Sequence, residues 1–499
     1  MSSPPTSRGC ARRDGRCGTT TRWSTTAEQS FSLRSLGRDS LIYGLGPVVS
    51  RFISLPLVFL YVKYLDSGDF GRIETVVALV AVGATLAQLG LVNAMFRFAA
   101  EREGDARYAV VRTCLAGCLA AGIVISGLAA LLTPLVSGSL GTSLWLIGCA
   151  GLLISLIYEP TVGLYRIERE PVRYLRITLV NVLVTVLASV LAVVVFHLGA
   201  PGLLGGSYTG TAVALVLVAA DRRRELSGPI DRELVRPLLS FGLPFLPSRL
   251  ALWGLNLSNR LLLGWLVGTS AVGVLGLGAR VASLVMLMVT AFQLAWPPFA
   301  YGIADDERAR RTYRAVLTWW LAIALTAALG LALLRDPIVR AIASFSENAG
   351  QWRGAGNVLA WLALGIAFYG AYYVVGVAVG RVKQTQLNWI VTGIAALANI
   401  ALCALLIPHY GASGAAAATA IAYALMAALM VVRGNRVFPV GYDWPRVGAL
   451  LALAGVLFAA GELLPVTGAG PIAGRTALAL AFAPGALALI RWKELPHRS

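Results

Sequence analysis

Charge is scarce in this chain. Asp, Glu, Lys and Arg together make up 13% of its 499 residues, about half the share of a soluble protein of that length. With 57% hydrophobic residues and a mean hydropathy of +0.74, a soluble globular class is excluded. Apolar runs of about 20 residues recur from end to end, which is the length a helix needs to cross a bilayer. The two-residue alternation of an outer-membrane barrel is absent. The expected class is therefore an all-α polytopic membrane protein.

Other absences narrow the chemistry. Histidine occurs three times, as His197, His409 and His497, at a helix end, in a turn and in a tail, and these form no metal cluster. The six cysteines (Cys10, Cys17, Cys114, Cys118, Cys149 and Cys403) make no paired CxxC, and the last four lie in apolar spans, where packing is the expected role. A Gly-Lys-Ser/Thr loop is missing, so the chain is not expected to hydrolyse ATP. No cofactor is implied. Residues 1–38 have no apolar core, so Arg12-Arg13 does not begin a signal peptide. They read as a disordered basic cytoplasmic tail, with a start codon assigned too early as the alternative.

The spans themselves number about fourteen: roughly 41–65, 72–96, 108–132, 143–165, 175–198, 201–221, 237–265, 271–297, 312–335, 355–380, 386–408, 412–432, 447–465 and 471–490. The net charge of +18 first raises the prospect of nucleic acid. Its distribution points elsewhere. Of 42 Lys and Arg residues, 32 fall in the tails and alternate loops, 6 in the opposite loops and 4 within spans. That asymmetry places both termini in the cytoplasm. The basic balance is thus mostly topology, and no soluble domain remains to read a nucleic acid.

Two short stretches recur in the sequence. "LDSGDFG" (65–71) follows the first span and "LVGTSAVG" (266–273) the seventh. "HLGAPG" (197–202) ends the fifth and "HYGASG" (409–414) the eleventh, each preceded by an asparagine, Asn181 or Asn399. An offset of six spans keeps both copies in one orientation. The expected architecture is two six-helix lobes related by a pseudo-two-fold axis along the membrane normal, with two further C-terminal helices. The lobes are 39–221 and 237–435, with a cytoplasmic linker at 222–236, extra helices in 436–490 and a cytoplasmic tail at 491–499.

Within the spans lie Arg51, Arg249, Arg260 and Arg280. Such residues persist when they face a wet cavity, a partner or a ligand. In "PFLPSRLALWGLNLSNRLLLGWLVG" (244–268), Arg249, Trp253, Asn256 and Arg260 follow one another at helical spacing and share a face. Arg51 shares a stripe with Tyr43, Pro47 and Ser54, and Arg280 lies on the face of Gly276 and Ser283. Acidic partners are few: Glu159, Glu74 and Asp39. A net positive cavity favours an anionic ligand, and guanidinium suits phosphate because its planar fork pairs two oxygens at once. Each arginine also has a plainer reading, snorkelling to an interface. Glu159 either pairs with a loop arginine such as Arg166 or couples a proton. Tyr369, Tyr372 and Tyr373 read as packing, with sugar stacking as the sharper option.

The stretch "ALANIALCALLIPHYGASGAAAATAIAYAL" (396–425) resembles the span 11–12 signature of the polysaccharide exporter branch (Wzx-type oligosaccharide flippases) of the MOP/MATE-like flippase superfamily. Asn399, Ile407-Pro408, Tyr410-Gly411 and Gly414-Ala415-Ala416 supply it. Tyr43 through Gly71, "GLVNAMFRF" (90–98), the run from Asn256 and "AFQLAWPPF" (291–299) resemble the family's other spans, so the likeness covers about 39–435. It implies alternating access of a polyprenyl-pyrophosphate-linked oligosaccharide from the inner to the outer leaflet of a bacterial plasma membrane, for cell-surface polysaccharide biosynthesis. Glycosyltransferases and a polymerase are the implied partners. One departure stands at Asn259, where the family often carries an acidic residue, which puts ion coupling there in doubt. The alternatives are a cation or drug antiporter of the same superfamily, which needs intramembrane carboxylates, and a membrane glycosyltransferase or polymerase, which needs a large catalytic loop. On the flippase reading Arg51, Arg249, Arg260 and Arg280 bind the pyrophosphate, with Asn256, Asn259, Tyr43 and Ser54 as further polar cavity residues. Arg51→Ala or Arg249→Ala is expected to abolish export while leaving membrane insertion intact. Wild-type export from either variant at matched expression would count against this cavity.

Overall fold

The computed structural model describes residue 49 and residues 56–382, 386–465 and 468–490. Tyr43, Arg51, Ser54 and the two tails lie outside the described residues. Among those described there is no strand. Helices are α1 Pro56–Tyr64, α2 Ser67–Gln88, α3 Leu91–Ala100, α4 Gly104–Leu131, α5 Thr142–Ile167, α6 Pro171–Val190 and α7 Gly199–Asp221. They continue as α8 Leu246–Leu266, α9 Thr269–Tyr301, α10 Asp306–Leu333, α11 Ala355–Arg381, α12 Gln386–Val437, α13 Trp444–Glu462 and α14 Ala469–Leu489. Helix is the local answer to lipid because it satisfies every backbone donor and acceptor within the segment.

Eleven of these helices are long and apolar enough to cross a membrane, or twelve if the bent pair Arg232–Phe245 and Arg249–Leu255 is one span. Helix α12 runs to 52 residues, a length of about 78 Å at 1.5 Å per residue, more than twice the hydrocarbon core. It folds back at Gly411, whose φ of 55° and ψ of −131° are not helical. A Cβ on Gly414 would stand 2.4 Å from the Leu406 carbonyl oxygen, so the two arms meet closely there. Division at Gly411, together with the described end of the first span, is compatible with the expected fourteen.

The hairpin between α6 and α7 uses the same device. His197 (φ 50°) and Gly199 (φ 57°) turn the chain, and Gly206 and Gly210 then lie against the backbone of Ser189 and Thr185. Both His-x-Gly-x-x-Gly stretches therefore form one kind of corner.

The other repeated pair gives a direct view of the symmetry. A Cβ on Gly71 would stand 1.7 Å from the Thr269 carbonyl oxygen, and one on Gly273 would stand 1.9 Å from that of Ser67. Ser67 and Thr269 hold equivalent places in the two repeats, as do Gly71 and Gly273. Each glycine thus receives the other copy's carbonyl, which is the reciprocity of a two-fold contact. Glycine is required because only a missing side chain lets backbones approach so near.

The second expected span differs from a single helix. It breaks at Leu89 (φ 47°) and Gly90 (φ 71°) before α3 resumes. The cause is Gly242, on the segment leading into α8: a Cβ on Gly90 would lie 2.1 Å from the Gly242 carbonyl oxygen. The two C-terminal helices are fastened at one end by ion pairs. Arg335 donates to both Glu462 oxygens at 2.7 and 2.8 Å, and buried Arg475 donates to Asp336 at 3.2 Å.

Gly71→Ala should lower stability by about 2 kcal/mol, as overpacking a close contact does. Gly127→Ala, where a Cβ would meet nothing within 4 Å, should not. Thermal unfolding of the two purified variants checks this, and equal midpoints would argue against the reciprocal seam.

Candidate anion site between the two lobes

Three side chains of the α8 stripe turn toward one element, α2 of the other lobe and its continuation α3. Arg249 Nη1 donates to Gln88 Oε1 at 3.1 Å and Nη2 to Asn93 Oδ1 at 3.2 Å. Trp253 Nε1 donates to the Ala78 carbonyl at 3.4 Å. Arg260 Nε donates to Glu74 Oε2 at 3.1 Å. The order along α8 is the reverse of the order along α2, so the helices cross antiparallel. The side chain of Asn256, the fourth member of the stripe, lies outside the described residues.

Arg280 of α9 joins from the second wall, donating through Nη2 to Glu74 Oε1 at 2.8 Å. Its guanidinium carbon sits 4.6 Å from the Tyr61 ring centre and 4.9 Å from that of Phe70. Aromatic faces at that range attract a desolvated cation. Glu74 is 7% exposed, so two cations share one buried carboxylate. Its trio carries a net charge of +1. Of the four intramembrane arginines expected to outnumber one or two carboxylates in a net positive cavity, Arg260 and Arg280 are tied to Glu74. A buried carboxylate would be costly alone, and the pairing offsets that cost.

Arg249 is different. Among the described residues it has no carboxylate partner, and the two oxygens it meets belong to neutral amides. Gln88 in turn donates from Nε2 to Glu159. The result is a chain of polar groups from Glu159 through Gln88 to Arg249 and Asn93, spanning both lobes. Glu159 thus meets Gln88, whereas Arg166, its expected loop partner, has its guanidinium 4.9 Å from the Phe96 ring centre.

Asn259 does not line a hollow. It is 4% exposed and its Nδ2 donates to Thr419 Oγ1 at 3.0 Å, inside its own lobe. The next residue on a helix points about 100° away, so Asn259 and Arg260 face different neighbours. Asn399 likewise donates to the Leu255 carbonyl at 3.0 Å, an interhelical bond. Nothing in the sequence singles out Gln88 or Asn93. Asn93 sits within "GLVNAMFRF", but an uncharged amide gives no sign of its partner until the lobes meet. Among the described residues no group of three or more His, Cys, Asp or Glu could hold a metal ion.

A family profile described as "Polysaccharide biosynthesis protein" matches residues 62–347. No curated protein matches the chain. Among solved structures, the lipid II flippase MurJ in an inward closed conformation superposes with a TM-score of 0.72 at 15% identity, over 90% of this chain and 100% of that one. A multidrug resistance MATE family transporter of the MOP superfamily, inward-facing, gives 0.63 at 15% identity, over 80% and 94%. A MOP superfamily transporter from Pyrococcus furiosus gives 0.50 at 14% identity, over 81% and 95%. The fold is therefore of the MurJ and MATE kind.

Glu74→Gln should destabilise the seam by about 2 kcal/mol, because it leaves two half-buried guanidinium groups on a neutral amide. Adding Arg280→Gln to that variant should restore part of the loss. A double-mutant cycle in thermal unfolding measures the coupling, and additivity would mean that Glu74 and Arg280 do not interact.

Proposed function

This chain belongs to the polysaccharide biosynthesis protein family, and from that premise we propose that it flips a polyprenyl-diphosphate-linked oligosaccharide across the membrane. The observation that carries the proposal is Arg249, a cation within a span and at the meeting of two lobes, whose partners among the described residues are amide oxygens. Amides orient a guanidinium without neutralising it. The charge stays available for an anion, and the planar fork suits a diphosphate. Arg260 and Arg280 add a second positive patch, less available because Glu74 holds both. Arg280 keeps one third of its side chain exposed, at 33%. We assign Arg51 and its stripe the same role.

The arginine-rich loops face the cytoplasm in this reading. The headgroup enters from that side, its polyprenyl tail remains in lipid, and the lobes rock about the seam. Backbone contacts at Gly71–Thr269 and Gly273–Ser67 on one side, and at Gly90–Gly242 on the other, supply two places where the lobes bear on each other. Rocking opens one while the other holds. Each negative charge moved outward against an inside-negative potential releases about 2.3 kcal/mol per 100 mV, so voltage contributes to the direction of transport. Enzymes that assemble the glycan and polymerise it supply and consume the cargo. An antiporter for cations is less well supported, since Glu74 is already engaged by two arginines.

In proteoliposomes loaded with a fluorescent polyprenyl diphosphate glycan, flipping should speed up when the arginine-rich side is made negative. Arg249→Gln should lose flipping, and Arg249→Lys should keep a fraction of it, since lysine retains charge but not the fork. Wild-type rates from Arg249→Gln would overturn the proposal.

A further inference from the structure

The connection between α10 and α11 belongs to the second lobe but reaches across to the first. It starts as the helix Arg335–Ala343, which rests against α1, and continues as a loop over residues 344–354. Three contacts join that loop to α1 and α2. Gln351 Oε1 accepts the Ser67 N–H at 2.9 Å. The Phe345 and Phe59 ring centres stand 5.2 Å apart, edge to face. Those of Trp352 and Phe70 stand 6.0 Å apart in the same manner.

Local chemistry explains the hydrogen bond. Ser67 opens α2, and the first N–H groups of a helix have no partner inside it. Asp66 caps Asp69, and the Ser67 donor goes to Gln351 of the other lobe. Gln351 is aimed by its own loop, since its Nε2 donates to Ser346 Oγ at 3.1 Å. Phe70 follows one turn later on α2 and meets both Trp352 and the Arg280 guanidinium. A single ring thus joins the loop to the arginines held by Glu74.

We propose that residues 345–352 are a latch that holds the lobes shut on the side opposite the arginine-rich loops, and that the cargo headgroup leaves only when it lets go; the inference rests on the flipping function proposed above. Three observations distinguish a latch from a fixed strut. First, charge holds the root and neutral groups hold the tip. Arg335 is paired with Glu462 and Arg475 with Asp336, whereas the tip crosses to the first lobe through one hydrogen bond and two aromatic pairs. Contacts of that kind part and re-form readily, because water replaces the hydrogen bond on opening. Second, Phe59 and Phe345 are 42% and 52% exposed, so their separation leaves no cavity behind. Third, Trp352 is 1% exposed, and its indole N–H has no hydrogen-bond partner among the described residues. A buried donor without a partner disfavours the closed position, and parting from Phe70 lets water reach it. The closed latch therefore carries its own opposing term, as an element with two positions requires.

The test uses the full chain with Cys10 and Cys17 changed to serine. Phe59→Cys and Phe345→Cys are joined by a cleavable bis-methanethiosulfonate in proteoliposomes. Flipping of the fluorescent polyprenyl diphosphate glycan should stop in the joined protein and return on reduction. A second arm needs no cargo. Spin labels on Arg72→Cys and Glu347→Cys, two exposed sites outside the latch contacts, report the separation in nanodiscs. Gln351→Ala and Phe345→Ala should each raise the longer-distance population about fivefold, the effect of losing one net hydrogen bond or aromatic pair. Full flipping by the joined protein would overturn the latch, and so would a distance distribution unchanged in both variants. Absence of flipping in the unmodified wild type would instead overturn the flipping function itself.

Discussion

An arginine inside a bilayer has to be given somewhere to place its charge, and here α2 of one lobe provides it for three arginines of the other. Glu74 takes Arg260 and Arg280. Gln88 and Asn93 take Arg249. The rest of the arrangement depends on that crossing. It brings the two lobes together along a polar seam, and it leaves one guanidinium in contact with oxygens that carry no charge. The difference between those two treatments separates an anchoring contact from the site we propose for the anion. A carboxylate between two guanidiniums holds helices together, whereas amides hold a guanidinium in place and leave its charge unspent.

The seam is possible only because glycine appears where backbones must meet. Gly71 and Gly273 receive each other's partner carbonyl, and Gly90 receives that of Gly242. In a membrane there is little hydrophobic drive for one helix to join another, so close van der Waals contact has to supply it. Smooth glycine surfaces also suit lobes that change their angle, since no side chain has to climb over another. On the proposed mechanism the same chemistry serves assembly and motion.

Much of this was legible in the chain. The apolar runs set the helices, because backbone groups in lipid must be satisfied within each segment. The two pairs of glycine turns announced a duplication, and the structure places both members of each pair in equivalent corners. The spacing of Arg249, Trp253 and Arg260 put them on one face, a matter of helical periodicity alone. What that face meets could not be read there. Glu74 lies 186 residues from Arg260 and Gln88 161 from Arg249, and no local rule links positions so far apart. Whether a guanidinium ends on a carboxylate or on an amide depends on the register of two helices from different lobes. Asn259 makes the same point: its neighbour in sequence reaches the seam, while it turns inward to Thr419. Periodicity determined which residues share a side, and only the packing of one lobe on the other decided which charges were neutralised.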